Sequence, residues 1–343
     1  MRCSLGSVLM GLCGVMGVLG ASDDARADEL ELTVETTAPL YLDLALDGDP
    51  VRLLLDLESP GLVILNGSRE AEIGLLSNPI LSRLPISIDL DGAHLGGGKT
   101  GRTPVRFPDG RRSRHRVIWF EGHDLVEMAD GIVGPGLLSG YGQVRMNLPG
   151  RTDVDTGTGD ENVQVYLFDG VPGLSPELTL QSDIGPVHVG FSLISPTRMD
   201  DAAYHRSRQM GLVDRASLEL EDHPMGWLGR IPAVSIPNSG LSLAGVEPTR
   251  FVRHLRRDER EALTEHRARA DREVVMEQII VRATRPDPRP GRPGRLILGR
   301  DVLMTCLELV FDFQTETTRL TCPVKQFPGP GDSERSDRPH PHR

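Results

Sequence analysis

The segment Leu53-Leu-Leu-Asp56-Leu-Glu-Ser59-Pro60 has a second, similar copy later in the chain. Val189-Gly-Phe-Ser192-Leu-Ile-Ser195-Pro196 repeats the pattern of an aliphatic strand, a polar residue and a Ser-Pro pair. Each copy then runs to a similar tripeptide, Ile73-Gly-Leu75 in the first and Met210-Gly-Leu212 in the second. Self-similarity of this kind is the signature of a repeated structural unit.

A second pair of matching segments lies further along each copy. Gly131-Ile-Val-Gly134-Pro-Gly-Leu-Leu138 matches Leu296-Ile-Leu-Gly299-Arg-Asp-Val-Leu303. Asp56 lies 78 residues before Gly134, whereas Ser192 lies 107 residues before Gly299. The extra 29 residues of the second interval correspond to one inserted segment. The sequence therefore predicts two homologous lobes, the second of which carries an insertion.

Length and local texture agree with two compact β units. The chain has 343 residues, of which 38 % are apolar and 25 % charged, and a domain holds about 150 residues. From Glu31 to Leu148 short β-like runs alternate with Gly, Pro and Asp, and the same texture returns from Val163 to Thr321. The intervening stretch from Gly150 to Asn162 is predicted to be a linker.

One segment of the second unit is predicted to be helical. Pro248 to Gln278 carries charges of both signs at spacings of three and four residues, which is typical of a solvent-exposed helix. A loop rich in Pro and Arg follows, from Arg285 to Arg295. Helix and loop together would form the insertion, at about residues 248–295. The tail after Pro323 is predicted to be disordered.

The N-terminal segment is typical of an export signal. Arg2 supplies the positive start, Val8 to Ala21 form a short apolar run, and Ala25-Arg-Ala27 offers a small-x-small cleavage site. Cleavage is expected after Ala27 or Ala21; a lipoprotein signal with Cys13 at the new N-terminus is the alternative. No other stretch approaches ~18 uncharged apolar residues. We therefore expect a secreted or periplasmic protein with no stable membrane span.

The cysteines predict one disulfide. Removal of the signal would leave Cys306 and Cys322 as the remaining thiols, in a compartment that permits disulfides. They lie on the two arms of a predicted hairpin around the polar turn Gln314–Thr317, which brings them within the Cα spacing that a disulfide requires. The alternative is two half-buried free cysteines.

Charge and motif content exclude several classes of partner. The net charge of −11 argues against nucleic acid, because phosphate binding needs clustered Lys and Arg. The ten histidines and the two remaining cysteines show no metal-ligand spacing. The sequence therefore predicts no metal and no cofactor, and it leaves the oligomeric state open.

At its repeated landmarks the chain resembles the aspartic peptidases, particularly their retropepsin-like branch. In that family an aliphatic strand ends in Asp-Thr-Gly, and a later apolar-apolar-Gly motif packs beneath the catalytic loop. Leu53-Leu-Leu-Asp56 fits the first element and Leu296-Ile-Leu-Gly299-Arg-Asp301 fits the second. The resemblance implies an all-β fold in which two acid-protease-like β-barrel lobes face each other across a cleft, with a helical insertion in the second.

The implied domain organisation follows from these boundaries. It comprises a signal peptide (1–27), lobe one (28–149), a linker (150–162), lobe two (163–324) with its insertion at about 248–295, and a tail (325–343).

The resemblance also implies which residues would carry catalysis. The family needs two aspartates, one from each lobe, that share a proton across a bound water. Asp56 stands at the first position, but Ser192 stands at the second, and a serine hydroxyl cannot hold the shared proton. Leu57 and Glu58 also replace the threonine and the glycine of the first motif. The catalytic pair is therefore incomplete as aligned.

Three other groups could supply a second carboxylate. Asp200-Asp201 follows Ser192 by eight residues, Glu58 follows Asp56 by two, and Asp155-Thr-Gly157 is a literal family motif within the predicted linker. We expect an exported, catalytically inactive aspartic-peptidase-like protein whose cleft could bind an extended peptide. An active aspartic endopeptidase with Asp56 and an unidentified second carboxylate is one alternative. A structural or interaction module of the cell envelope is another.

Overall fold

The computed structural model describes most of both predicted lobes. The described residues are 29–59, 62–75, 86–90, 93–150, 163–172, 178–182, 184–213, 219–224, 230–241, 248–255, 259–261 and 293–323. The predicted export signal, residues 151–162 of the predicted linker, the Asp155-Thr-Gly157 motif and the predicted tail lie outside them.

The first lobe is a closed barrel. Its elements are β1 (Glu29–Thr33), β2 (Tyr41–Leu46), β3 (Asp49–Leu55), β4 (Val63–Leu65), α1 (Gly67–Ile73), β5 (Ile86–Leu90), β6 (Ala93–Arg106), β7 (Arg112–Trp119), β8 (Gly131–Val133), a 3-10 helix (Pro135–Gly140) and β9 (Gln143–Asn147). The strands are ordered β2-β3-β8-β4-β7-β6-β5, and a further pairing of β2 with β6 closes six of them into a barrel. The predicted all-β class is confirmed.

The second lobe repeats this order of strands. Its elements are β10 (Val163–Asp169), β11 (Leu178–Ser182), β12 (Gly185–Phe191), β13 (Arg198–Met199), α2 (Asp201–Gln209), β14 (Glu219–Pro224), β15 (Arg230–Pro237), β16 (Arg250–His254), β17 (Gly294–Leu298), α3 (Arg300–Leu303), β18 (Glu308–Asp312) and β19 (Thr317–Pro323). The order β11-β12-β17-β13-β16-β15-β14 corresponds strand by strand to that of the first lobe.

The directions of the strand pairs correspond as well. β3 and β8 are parallel, as are β12 and β17. β4 and β8 are antiparallel, as are β13 and β17. The parallel pair of β4 with β7 matches the parallel pair of β13 with β16. The two segments that repeat in the sequence therefore end equivalent strands.

A third set of strands joins the two lobes. β9 of the first lobe pairs with β18 of the second, within the order β1-β9-β18-β19-β10. Gly150 reaches the same junction: its N–H donates to the carbonyl of Cys306, and a Cβ there would lie 2.2 Å from that oxygen. One hydrophobic core includes side chains of both lobes, among them Leu55, Val133, Phe191 and Phe311. This sheet, named here the joining sheet, is formed by β1, β9, β18, β19 and β10.

The structure corrects the predicted helix at its N-terminal end. Arg250–His254 form strand β16, which pairs with β15 and β13, so the prediction of helix from Pro248 is wrong over these residues. Phe251 and Val252 are buried, and Arg253 is buried in ion pairs. Part of the charged segment that suggested an exposed helix therefore lies in the interior of the protein. Residues 262–292 lie outside the described part.

The predicted disulfide is confirmed. Cys306 and Cys322 are bonded with a Cα–Cα distance of 4.0 Å, and both side chains are buried. They flank the antiparallel hairpin of β18 and β19, whose register runs from Glu308 opposite Thr321 to Asp312 opposite Thr317. The bond therefore closes the base of the hairpin that contributes two strands to the joining sheet.

Removing this disulfide is expected to lower the free energy of unfolding by about 3 kcal/mol, because the bond closes a loop of about 15 residues in the unfolded chain. The two cysteines are 16 positions apart. The measurement is urea unfolding of the Cys306→Ala/Cys322→Ala variant beside the oxidised protein. The reduced wild-type protein should lose a similar amount. Equal stability of variant and oxidised protein would contradict the expectation.

Candidate functional site

Strand β3 delivers Asp56 to the end of the first barrel. The N–H of Asp56 donates to the carbonyl of Val133, at 3.0 Å, which continues the parallel pairing of β3 with β8. Its Oδ1 accepts the N–H of Glu58 at 3.1 Å, and its carbonyl accepts the N–H of Ser59. Only 7 % of Asp56 is exposed. The carboxylate therefore stabilises the turn that follows the strand.

Ser192 has the same place at the end of β12. Its N–H donates to the carbonyl of Leu298 at 2.9 Å, as that of Asp56 does to Val133. Its Oγ accepts the N–H groups of Ile194, at 3.4 Å, and Ser195, at 3.0 Å. Ser192 is 1 % exposed. The hydroxyl therefore binds its own turn, in the role that the Asp56 carboxylate has in the first lobe.

Apolar side chains follow both of these polar residues. Leu57 and Leu193 stand one position after Asp56 and Ser192, and both are buried in the core that the lobes share. Threonine occupies this position in the family that the sequence resembles, and its hydroxyl ties the two loops together. Here the two loops contribute hydrocarbon to the core at this position instead.

A buried arginine of the second lobe reaches the Asp56 loop. Arg198, the first residue of β13, forms an ion pair through Nη2 with the carboxylate of Glu58. The two side chains are 10 % and 15 % exposed. Burial lowers the pKa of Arg198 to about 10, and the positive charge of Arg295 acts in the same direction. The negative charge of Asp56 acts to raise this pKa. Arg198 therefore stays positively charged at neutral pH, in contact with the carboxylate of Glu58.

No sequence pattern singles out Arg198. It stands six residues after Ser192, in a stretch where an arginine would ordinarily be exposed. Glu58 was an indirect indication of a buried cation nearby. A carboxylate at a position where the family has glycine needs a counterion if it is buried. We refer to Glu58 and Arg198 as the inter-lobe ion pair.

Two of the proposed second carboxylates are engaged elsewhere in the second lobe. Asp200 caps α2 by accepting the N–H of Ala203 at 2.9 Å, and it also accepts the N–H of Arg295. Asp201 forms an ion pair with Arg253 at 2.9 Å. Glu58, the third described carboxylate considered from the sequence, belongs to the inter-lobe ion pair. Each of these groups therefore already has a defined partner.

Hydrogen bonds hold the second-lobe loop in place. Asp301 Oδ1 accepts the N–H and the hydroxyl of Thr197, at 2.6 and 2.8 Å, and Thr197 Oγ1 accepts the N–H of Gly299. A Cβ at Gly299 would lie 2.0 Å from the carbonyl carbon of Pro196. Only glycine permits this approach of the two backbones.

Arg300 fastens the same loop to the first lobe. Its Nη1 donates to the carbonyl of Leu193 at 2.6 Å. Its Nη2 donates to the carbonyls of Glu35, at 2.7 Å, and Thr36, at 2.6 Å, in the segment between β1 and β2. The loop that carries Ser192 and Arg198 is thus fixed from both lobes.

Neither a metal-binding cluster nor a membrane-spanning helix occurs within the described residues. No group of three or more His, Cys, Asp or Glu side chains there could hold a metal ion. The described helices are also too short or too polar to cross a bilayer.

The Ser192 hydroxyl stands at the position equivalent to Asp56, where an aspartic dyad has its second carboxylate. Two neighbouring carboxylates can share a proton because they cannot both ionise. A guanidinium beside a carboxylate has the opposite effect, since it favours the ionised form. At this site Arg198 forms its ion pair with Glu58, and the negative charge of Asp56 acts to raise the pKa of Arg198. What the geometry provides is an electrostatic contact between the lobes.

Comparison with known proteins gives a weak match. No protein-family model matches the sequence, and no curated protein matches it. Among solved structures, the chain is similar to EIAV protease complexed with the inhibitor HBY-793, with 14 % sequence identity and a TM-score of 0.24. The similarity covers 32 % of this chain and 93 % of the protease chain. At this score it concerns the coarse β fold alone, and no activity is transferred from it.

Proposed function

We propose that this protein is an exported, two-lobed aspartic-peptidase-like protein that does not hydrolyse peptide bonds. The observation that carries the proposal is the inter-lobe ion pair, which brings a buried guanidinium of the second lobe to Glu58, two residues after Asp56. The equivalent strand orders of the two lobes support a tandem origin. Asp56 would then be retained for the turn that it stabilises and for its attraction to Arg198.

The chemistry of the site favours a non-catalytic role. Peptide hydrolysis by this family needs one carboxyl group as general acid and another as general base around one water. The Ser192 hydroxyl is only a hydrogen-bond donor and acceptor at neutral or acidic pH, and its oxygen already accepts two N–H groups of its own turn. Among the residues that the structure describes, the position equivalent to Asp56 therefore supplies a hydroxyl and not a second carboxyl group.

Export and peptide binding are parts of the same proposal. The buried disulfide fits a protein that folds in an oxidising compartment. Family members bind substrate as an extended strand, and a lobe pair that keeps the scaffold could hold a peptide in this way without cutting it. The competing idea, an envelope structural module, is favoured by the hydrophobic core that runs continuously through both lobes.

Purified protein is expected to leave denatured casein intact from about pH 3 to about pH 7, the range in which a shared-proton dyad could work. The measurement is release of soluble peptides, with an active aspartic peptidase as the positive control. The Asp56→Asn variant should behave like the wild type.

Peptide release that Asp56→Asn abolishes would contradict the proposal and favour the active endopeptidase. Peptide release that survives Asp56→Asn would point to a contaminating enzyme. Binding without cleavage is tested separately, by fluorescence anisotropy of labelled, unfolded casein fragments. Saturable binding would favour the peptide-binding form of the proposal, and its absence would favour the structural module.

A further inference from the structure

Strand β10 leaves one edge of the joining sheet open. It pairs with β19 along all seven of its residues, from Val163 opposite Pro323 to Asp169 opposite Thr317. On its other side β10 meets β11 only at Asp169, opposite Thr179. Within the part of the chain that the structure describes, no strand pairs with Val163–Phe168 on that side. Such an edge exposes backbone N–H and carbonyl groups that can accept another strand.

Two apolar side chains stand exposed on this strand. Val165 is 50 % exposed and Leu167 is 70 % exposed, whereas Tyr166 and Phe168 point into the core. Val165 lies opposite Thr321 and Leu167 opposite Arg319, so both belong to the outer face of the joining sheet. Exposed valine and leucine side by side on an open edge are a feature that natural β proteins generally avoid.

The rest of that outer face is covered by charge. Arg145 binds Glu29 at 2.6 Å and also pairs with Glu308, and Glu308 in turn accepts from Arg319 at 3.2 Å and from Thr321 at 3.1 Å. This network crosses β1, β9, β18 and β19 and stops at β10. The opposite edge strand, β1, carries the exposed carboxylates Glu29 and Glu31. Acidic residues at an edge repel a second acidic strand, so β1 is protected and β10 is not.

We propose that β10 is the interface of a symmetric dimer, in which β10 of a second copy of this chain pairs antiparallel with it. Charge decides in favour of a second copy. The protein has a net charge of −11, yet β10 has no charged side chain from Val163 to Phe168. Two acidic copies can therefore meet along this strand without opposing like charges. The joining sheet would continue across the two-fold axis into the joining sheet of the second copy.

The sequence of β10 is complementary to itself in this arrangement. With the two-fold axis at Tyr166, Val165 lies opposite Leu167 of the second copy, and Leu167 lies opposite Val165 of the second copy. Both exposed side chains thus gain an apolar cross-strand neighbour. Asp169, whose open side already pairs with Thr179 of β11, stays outside this pairing, so no carboxylate enters the interface. A pairing of this kind uses the same surface on both copies and closes on itself, so it gives a dimer and not a filament.

The first test is the mass of the protein in solution. Sedimentation velocity over a range of concentrations should show a reversible dimer for the wild type. Leu167→Lys should raise the dimer dissociation constant at least about tenfold, because a lysine would then lie opposite the apolar Val165 in each of the two equivalent pairs. Met128→Lys is the matched control, since Met128 is an exposed methionine elsewhere and its substitution should leave the constant unchanged.

The second test fixes the strand that pairs and its register. Val165→Cys and Leu167→Cys proteins are mixed and oxidised, and the proposed axis predicts a disulfide-linked dimer in the mixture, stronger than in either variant alone. If only one of the two single-variant samples forms a disulfide-linked dimer, the interface is supported, and its two-fold axis lies at the residue that was changed to cysteine in that sample. A wild-type protein that stays monomeric and forms no cross-link in any of the three samples would overturn the proposal. So would a dimer that Leu167→Lys leaves intact.

Discussion

Replacing Arg198 with methionine is expected to lower the free energy of unfolding by about 3–5 kcal/mol, the range for removing one partner of a buried ion pair. The variant keeps a side chain of similar length but leaves Glu58, which is 15 % exposed, without its guanidinium. It also removes the positive charge that attracts Asp56. Urea unfolding followed by circular dichroism measures the loss.

A double-mutant cycle separates the ion pair from simple loss of packing. The Arg198→Met/Glu58→Leu protein should be more stable than Arg198→Met alone, because no charge is then left at the position of Glu58. Additive losses would show that the two residues do not interact. Arg52→Met is the matched control, because Arg52 pairs with Asp43 at 2.9 Å on the surface, where the side chains are 59 % and 67 % exposed. That loss should be much smaller than the loss in Arg198→Met, because an ion pair between exposed side chains contributes little.

The expected result also bears on function. If Arg198 mainly neutralises Glu58, the double variant should fold and still fail to cleave casein. Residue 192 is still a serine in that variant and supplies no carboxylate. Adding Ser192→Asp to the double variant would then supply the second carboxylate at the equivalent strand end. Cleavage by this triple variant but not by the wild type would identify the missing carboxylate and the inter-lobe ion pair as what separates the protein from a working peptidase.

The strand framework was predictable because local pattern and repetition agree. Asp56 and Ser192 aligned through their aliphatic strands and Ser-Pro pairs, and both prove to end equivalent strands with the same backbone hydrogen bond. The disulfide was predictable for a similar reason, since alternation placed Cys306 and Cys322 on the arms of one hairpin. Pattern with a period of two fixes which side chains share a face, and a hairpin fixes which residues meet.

The charges of the site were not predictable in the same way. Arg198 and Glu58 are 140 residues apart in sequence, and only the packing of the two lobes brings them together. Sequence statistics assign arginine to the surface, so a buried one is misread unless its counterion is known. The short helices α1 and α2 were also missed, because each covers two to three turns and gives little periodic signal.

Strand β16 shows the same limit of sequence patterns more sharply. Its segment Arg250-Phe-Val-Arg-His254 was assigned to an exposed helix because charged residues surround it. In the fold, Phe251 and Val252 are buried and Arg253 is 2 % exposed. The charge of Arg253 is compensated by Glu259, six residues later, and by Asp201 at the start of α2. A local charge pattern cannot separate this arrangement from a solvated helix.

Arg253 forms a buried cluster of charges with Glu259 and Asp201. Arg253 binds Glu259 through two hydrogen bonds, of 3.0 and 3.1 Å, and Glu259 is fully buried. Burial acts to lower the pKa of Arg253, but the hydrogen bonds and charges of Glu259 and Asp201 outweigh it and raise the pKa. The guanidinium also lies over the ring of Tyr204, 5.5 Å from its centroid. Arg253 thus connects β16, α2 and the beginning of the segment that follows β16.

Arg253→Met is expected to cost about 3–5 kcal/mol, and Glu259→Met clearly less. The asymmetry follows from the contacts that each change removes: Arg253→Met breaks the ion pairs with both Glu259 and Asp201, whereas Glu259→Met leaves the ion pair of Arg253 with Asp201, which is 32 % exposed, in place. Urea unfolding of both single variants and of the double variant measures the three losses. Equal losses in the two single variants would contradict the asymmetry and assign the cost to packing around Tyr204 instead.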